Sequence, residues 1–258
     1  MPNTNPNGAA GGRIIIVTGA SRGIGAALVR QLIAQGDVPV VCYRSERAAA
    51  DALVAEARAR GLDAIAVQAD VANEADVIRL FETVDAHHGR LDALVNNAGI
   101  VAPSLRVDEM DAARIRRMFE VNVFGSFYCA REAVRRMSTR HGGRGGCIVN
   151  LSSRAASLGS PNMYVDYAAS KAAIDTFTLG LALEVAEEGI RVNSVRPGMT
   201  ETEIHVSAGE PGRVARLAPS IPMKRGGTAD EIANAIRWLL SDEASYVTGT
   251  GLDVGGGR

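Results

Sequence analysis

The chain has 258 residues, 47% of them hydrophobic and 22% charged, with a formal net charge of −1. That length holds one α/β domain with a sizeable core, and a near-neutral balance without long runs of like charge excludes a nucleic-acid or anionic-membrane surface as the organising feature. No apolar run approaches the ~18 residues needed to cross a bilayer, so the expected partner is a small neutral or modestly charged molecule.

In chain order, the opening dozen residues, MPNTNPNGAAGG, predict a flexible tail over 1–12 ahead of one domain over 13–258. They lack the basic start and apolar centre of a secretory signal. Seven short β-rich runs then alternate with longer helical patterns: RIIIVTG, VPVVCY, AIAVQAD, LDALVNN, GCIVNLSS, IRVNSVRP and GTGLDVGG. Strands separated by helices predict an α/β fold with a seven-stranded parallel sheet covered by helices on both faces. Several strands are apolar almost throughout, as burial on both faces demands. Helices are expected from GIGAALVRQLIAQG, ERAAADALVAEARARG, NEADVIRLFETVDAHHG, DAARIRRMFEVNVFGSFYCAREAVRRM, the stretch beginning YVDYAASK, and TADEIANAIRWLLSD. Residues 199–227, rich in Gly, Pro, Ser and Thr, interrupt this order and read as a binding lid. Cys42, Cys129 and Cys147 are scattered and odd in number, which predicts neither disulfides nor a metal cluster and suits a reducing, cytoplasmic setting.

The turn from the first strand into the first helix, TGASRGIG, carries Gly19, Gly23 and Gly25. Glycine lets backbone approach a phosphate, and a helix N-terminus offers unpaired N–H groups, so this turn is a candidate dinucleotide site with Ser21, Arg22 and Ile24. Its spacing is one residue longer than the usual fingerprint. The second strand ends in Tyr43, Arg44 and Ser45, with no acid where a ribose 2′-hydroxyl would be held. Arg44, Ser45 and Arg22 suit a 2′-phosphate instead, which favours NADP(H) and leaves NAD(H) possible.

In YVDYAASK, residues 164–171, helical spacing sets Tyr167 beside Lys171. Tyr164 lies two turns away, roughly 10 Å. A cation beside a phenol stabilises the phenolate, so Tyr167 and Lys171 form a candidate proton donor and acceptor. Taken alone, the same spacing also describes an ordinary surface pair.

Together these motifs resemble the classical short-chain dehydrogenase/reductase family, nearly throughout from Arg13 onward. TGASRGIG is similar to its cofactor loop, NNAG at 96–99 to the motif after its fourth strand, and RPG at 196–198 to its nicotinamide-side turn. The resemblance implies a Rossmann fold and assigns Asn122, Ser153, Tyr167 and Lys171 as a catalytic tetrad. Tyr167 would be the acid/base, Lys171 would lower its pKa and bond the nicotinamide ribose, Ser153 would hold the substrate oxygen, and Asn122 would hold a relay water. Cofactor contacts would include Asp70 and Val71 at the adenine, Asn97, Ala98, Gly99, Pro197, Gly198, Thr200 and Thr202, besides Tyr167 and Lys171. Ser153 lies fourteen residues before Tyr167, one more than expected for many members, with the extra residue in SLGSPNMYV; Ser152 is an alternative hydroxyl. Thr200 stands where many members carry Ile or Val.

The function expected is hydride transfer between NADP(H) and a small carbonyl or secondary alcohol, with substrate choice resting on Ser153, Met163, Tyr164, His205 and the 199–227 lid. Alternatives are a 3-oxoacyl-carrier-protein reductase, an NAD-dependent sugar dehydrogenase, and a non-catalytic NADP-binding sensor. Leu183, Glu187 and Glu188 stand where carrier-protein reductases tend to show arginine, which counts against the first. His87, His88, His141 and His205 show no metal-ligand spacing, so no metal is expected. The resemblance implies a homotetramer, with a dimer as the fallback, and the apolar faces NVFGSFYCA and AAIDTFTLGLAL are compatible with such an assembly.

Overall fold

Runs of Ile and Val with alternating side-chain directions need apolar cover on both sides, and the chain supplies it with helices between strands. The computed structural model describes residues 12–203 and 209–258. The strands are β1 Ile14–Val17, β2 Val38–Tyr43, β3 Ile65–Gln68, β4 Ala93–Asn96, β5 Gly146–Leu151, β6 Ile190–Pro197 and β7 Gly251–Val254. All seven expected runs form them, in one parallel sheet of order β3-β2-β1-β4-β5-β6-β7.

The helices are α1 Gly23–Gln35, α2 Arg47–Arg58, α3 Glu74–His88, α4 Ala112–Phe119, α5 Gly125–Met137, α6 Ala155–Leu158, α7 Val165–Val185, α8 Arg213–Leu217 and α9 Ala229–Leu240. Because strand side chains alternate, Ile15 and Val17 pack with Leu28, Leu32, Leu53 and Ile236 under α1, α2 and α9. Ile14 and Ile16 pack with Leu80, Phe81, Ala133 and Val185 under α3, α5 and α7. Asn73 caps α3 by accepting from the N–H groups of Ala75 and Asp76, and Thr228 with Glu231 closes a capping box on α9. β1 pairs with both β2 and β4, so the winding reverses there. The crevice beyond the C-terminal ends of these strands is where a doubly wound sheet takes its ligand.

Four local features differ from the expectations. Residues 112–137 are not one regular helix: a π-helical turn, Glu120–Phe124, separates α4 from α5, and the Gly125 N–H reaches back five residues to Glu120. Tyr164 is the N-cap of α7 rather than part of it, with φ −156 and ψ 67, so the loop before it, not the helix, sets its direction. Gly12, expected in the tail, is placed, its carbonyl accepting from Arg90 Nη2 at 2.8 Å; the rest of the tail, 1–11, lies outside the described residues. Within 199–227, α8 and a bridge between Thr200 and Gly227 give the segment structure of its own.

Candidate active site

One cleft of about 620 Å³ opens beyond the ends of the central strands, and the glycine turn and Tyr167 line the same space. At its cofactor end, Gly19 (φ 60) and Gly23 (φ 54) adopt left-handed backbone that other residues rarely take. A Cβ on Gly19 would lie 2.9 Å from Ala98 Cα, and one on Gly25 would lie 2.7 Å from Asn97 Nδ2, so the turn is closed against the end of β4. Asn97 fastens it further, donating from Nδ2 to the carbonyls of Thr18 (2.8 Å) and Gly19 (3.0 Å). Arg22, the N-cap of α1, makes no side-chain capping bond, which leaves the helix's first N–H groups and positive dipole end for an anion. This cradle fits a dinucleotide phosphate.

Ser21, Arg22, Gly23, Ile24, Arg44, Ser45, Asp70, Val71, Asn97, Ala98, Gly99, Pro197, Gly198, Thr200 and Thr202 all line the cleft. Gly25 does not; it packs beneath the loop. Thr202 lies over the glycine turn, its Cγ2 3.5 Å from where a Gly23 Cβ would be. Asp70 is engaged by Arg117 Nη2 at 2.9 Å. Sequence reasoning passed over Glu46, which also lines the cleft and accepts from the Ser45 hydroxyl at 3.4 Å. It begins the second helix rather than ending the strand, which is why an acid was not expected there.

At the other end, Tyr167 faces the cleft and hydrogen-bonds to Ser153, while Ser152 points away, donating to the Lys171 carbonyl at 3.0 Å. Lys171 is buried, and its Nζ lies 5.8 Å from the Tyr167 ring centroid and donates to the Leu151 carbonyl at 2.7 Å. The energetics differ from the expectation that Lys171 lowers the phenol's pKa. Burial pushes Tyr167 up to about 12, with Ser153 pulling the other way, and burial draws Lys171 down to about 8. Tyr167 is only half-buried and lines the cleft, so water there opposes part of the shift. Desolvation outweighs the pairing because the ammonium is spent on a backbone carbonyl.

Asn122 sits in the π-helical turn, fully buried. Its Nδ2 donates to Ile100 O and Ser170 Oγ, each at 3.0 Å, and its Oδ1 accepts from the Ile100 N–H at 2.8 Å. These bonds anchor the segment after β4. Gly99 leaves a gap between the two groups: a Cβ there would meet Lys171 Nζ at 3.3 Å and Asn122 Oδ1 at 3.4 Å.

The wall beside Tyr167 comes from the stretch between α6 and α7. In it Ser160 (φ 47) and Asn162 (φ 59), flanking Pro161, adopt left-handed backbone. The Met163 carbonyl accepts from Leu105 N–H at 2.7 Å, which pins this wall to the opposite loop. Met163 and Tyr164 line the cleft as expected, and the Tyr164 and Tyr167 rings meet edge to face at 5.8 Å. His205 lies outside the described residues. Arg213, which sequence reasoning missed, is buried against this wall, its guanidinium carbon 4.9 Å from the Tyr164 ring centroid. An arginine in a Gly/Pro-rich stretch carries no sequence sign of depth.

The three cysteines are free and buried, and burial raises each thiol. The side-chain N and O atoms of Asp63, His87 and His88 lie within 4.8 Å of one another, at residues that do not line the cleft.

A parallel sheet with its reversal at β1, a glycine turn opening α1 and a phenol, hydroxyl and ammonium in the adjoining space define a nicotinamide-dependent oxidoreductase. Residues 19–258 match the family described as Enoyl-(Acyl carrier protein) reductase, and the chain belongs to the short-chain dehydrogenase/reductase family, acting between a carbonyl and its alcohol. It is 53% identical over 245 residues to the uncharacterized oxidoreductase YgfF of Escherichia coli (strain K12), covering 95% of this chain and 99% of that one. To the 3-oxoacyl-[acyl-carrier-protein] reductase of Synechocystis sp. it is 39% identical, covering 95% and 96%. A short chain dehydrogenase from Burkholderia cenocepacia J2315, solved in complex with NADP, superposes with a TM-score of 0.87 at 35% identity, over 96% of this chain and 98% of that one.

Proposed function

We propose that the chain reduces a small carbonyl compound with NADPH, using Tyr167 as the proton donor. The observation that carries this reading is the Tyr167 phenol, held protonated by burial and hydrogen-bonded to Ser153 in the same cleft as the glycine turn. A phenol with its pKa pushed up to about 12 is in the acid form that carbonyl reduction consumes. The nicotinamide, when bound, supplies the hydride. Ser153 holds the substrate oxygen against Tyr167 by hydrogen bonding, and the Lys171 ammonium stabilises the charge left on the phenol oxygen after proton transfer. A water in the gap beside Gly99 would join Lys171 to Asn122 and return the proton, and Asn122, tied to Ile100 and Ser170, keeps that gap open.

The NADP preference rests on Arg22, Arg44 and Ser45 at the cleft wall, and on the relative solved with NADP. Glu46 opposes it, and two guanidiniums against one carboxylate leave the balance positive. Titration of NADPH and NADH by fluorescence, with Arg44→Ala alongside, tests this. Binding of NADPH about tenfold tighter than NADH, lost in the variant, is expected for one charge-assisted bond. Equal or tighter binding of NADH would overturn it and point to alcohol oxidation by NAD.

A carrier-protein substrate is less well supported. Leu183 is 74% exposed and Glu187 stands near it, which offers nothing to an acidic partner, although Glu188 is turned inward to Ser138 and Arg140. The exposed Phe124, Phe127, Leu179 and Leu183 on α5, α7 and the turn before α5 support a homotetramer, with Phe127 stacked on Phe177 at 3.8 Å. A monodisperse monomer in light scattering at micromolar concentration would refute that assembly.

A further inference from the structure

Arg213 is 4% exposed, and among the described residues no other arginine is classed as buried. Its Nη1 donates to Glu210 Oε1 at 2.8 Å. Its Nη2 reaches only the Met163 sulfur, at 3.7 Å, and its Nε has no partner among the described residues. Nε and the outer Nη form one edge of the guanidinium, two parallel N–H groups with the spacing of a carboxylate's oxygens. On this arginine that edge meets a thioether, a weak acceptor, and no oxygen. Burying a charged donor in this way is costly unless something completes it.

The surroundings say what would complete it. Arg213, Met163, Tyr164 and Arg216 all line the cleft on the Tyr167 side. Glu210 is shared between Arg213 and Arg216 and also accepts from the Ser104 hydroxyl, so one carboxylate serves two guanidiniums and a single positive charge is left over. The guanidinium stacks on Tyr164, which in turn meets Tyr167 edge to face, so the unfilled edge stands one aromatic ring from the phenol. Met163 is unbranched and flexible, the kind of side chain that moves aside for a ligand.

We propose that the substrate carries a carboxylate, which displaces the Met163 thioether and pairs with the Nε and Nη2 edge of Arg213 while its carbonyl meets Tyr167. This deepens the reading of Tyr167 as proton donor and rests on it. The leftover charge of one matches a monoanion, and one ring's width between the two groups suits an oxo acid with a short carbon spacer.

The test uses the full chain with NADPH and three probes, 4-oxopentanoate, 5-oxohexanoate and 6-oxoheptanoate, each beside its methyl ester. For at least one pair the acid is expected to exceed the ester in kcat/KM by about 10- to 100-fold, through KM, as one charge-assisted bidentate pair gives. Arg213→Met removes the charge and keeps the bulk, and should abolish the preference; Arg213→Lys should retain part of it. NADPH binding, measured by fluorescence, should stay intact in both and shows that they fold. The same acid-over-ester preference is read by fluorescence of the ternary complex in Tyr167→Phe, where it should persist although turnover is lost. Turnover surviving in Tyr167→Phe would sink the proton-donor reading and leave the carboxylate site standing on its binding signal. Equal acids and esters, a preference indifferent to Arg213→Met, a stronger response to oxo phosphate esters, or no saturable binding of any acid to an NADPH-competent protein would each overturn the proposal.

Discussion

Replacing Lys171 with methionine should make the protein more stable and nearly inactive. The side chain is 4% exposed, and burial lowers its pKa from 10.5 to about 8. At 1.36 kcal/mol per unit, holding that charge in the folded state costs about 3 kcal/mol at pH 7. Methionine keeps the bulk and removes the charge, but also deletes the bond to the Leu151 carbonyl, worth about 1–1.5 kcal/mol. The net gain is therefore about 2 kcal/mol, or roughly 4–8 °C in Tm for a chain of this size. Between pH 8 and 10.5 the unfolded chain holds this proton and the folded one does not, so the wild type gains stability as pH rises through that window. The advantage of Lys171→Met should thus shrink from about pH 8, vanish near about pH 9.5 and reverse by about pH 10.5, where only the lost bond to Leu151 remains. Thermal melts at fixed protein concentration from pH 6.5 to 10.5 measure both arms, and turnover should fall by about 10²–10⁴-fold. A variant less stable than the wild type at pH 7, with a gap that does not narrow towards high pH, would refute the claim that desolvation dominates at Lys171.

Tyr167→Phe should cost about 10²–10⁴-fold in kcat while leaving NADPH binding intact, whereas Tyr164→Phe, altering the ring stacked under Arg213, should act on KM; reversed phenotypes in steady-state assays would exchange the roles of the two tyrosines. Gly99→Ala puts a methyl 3.3 Å from Lys171 Nζ and 3.4 Å from Asn122 Oδ1, filling the gap offered to a relay water, and should lower kcat about tenfold with a stability change within about 1 kcal/mol, checked by kinetics and melting. Because the phenol is held up to about 12, alcohol oxidation should rise steadily with pH from 7 to 10 while carbonyl reduction stays flat from 6 to 8; an oxidation rate that levels off below pH 8 would show a phenol already ionised.

The sheet was legible because a strand buried on both faces can hide nothing else: VPVVCY has all six residues buried, and the glycine turn is followed at once by helical periodicity. The pairing of Tyr167 with Lys171 was legible because helix spacing is rigid. The π-helical turn at Glu120–Phe124 was not, since a shift of one hydrogen bond leaves the apolar pattern of EVNVFG unchanged. Nor was the direction of the proton energetics. Spacing says which groups are neighbours, but burial decides their pKa values, and at Tyr167 and Lys171 it reverses the expected shift of the phenol. Arg213 escaped for the same reason, its depth being set by packing against Met163 and Tyr164 from a distant segment.

The two ends of the cleft are built by different means, and this determines how each responds to change. At the cofactor end the fit is made by backbone: a side chain on Gly19 or Gly25 would run into Ala98, Asn97 or Gly19 itself within 3 Å, so substitution there strains the fold before it alters recognition. At the substrate end the walls are side chains on strained or short elements, with left-handed Ser160 and Asn162 on one side and the five residues of α8 on the other. Leu158, 47% exposed, and Met163 can change there without displacing any strand. Variation at this end is expected to redirect specificity at little cost to stability, and in the proposed reading Met163 and Arg213 are where the substrate is chosen on a fold that keeps the reaction class.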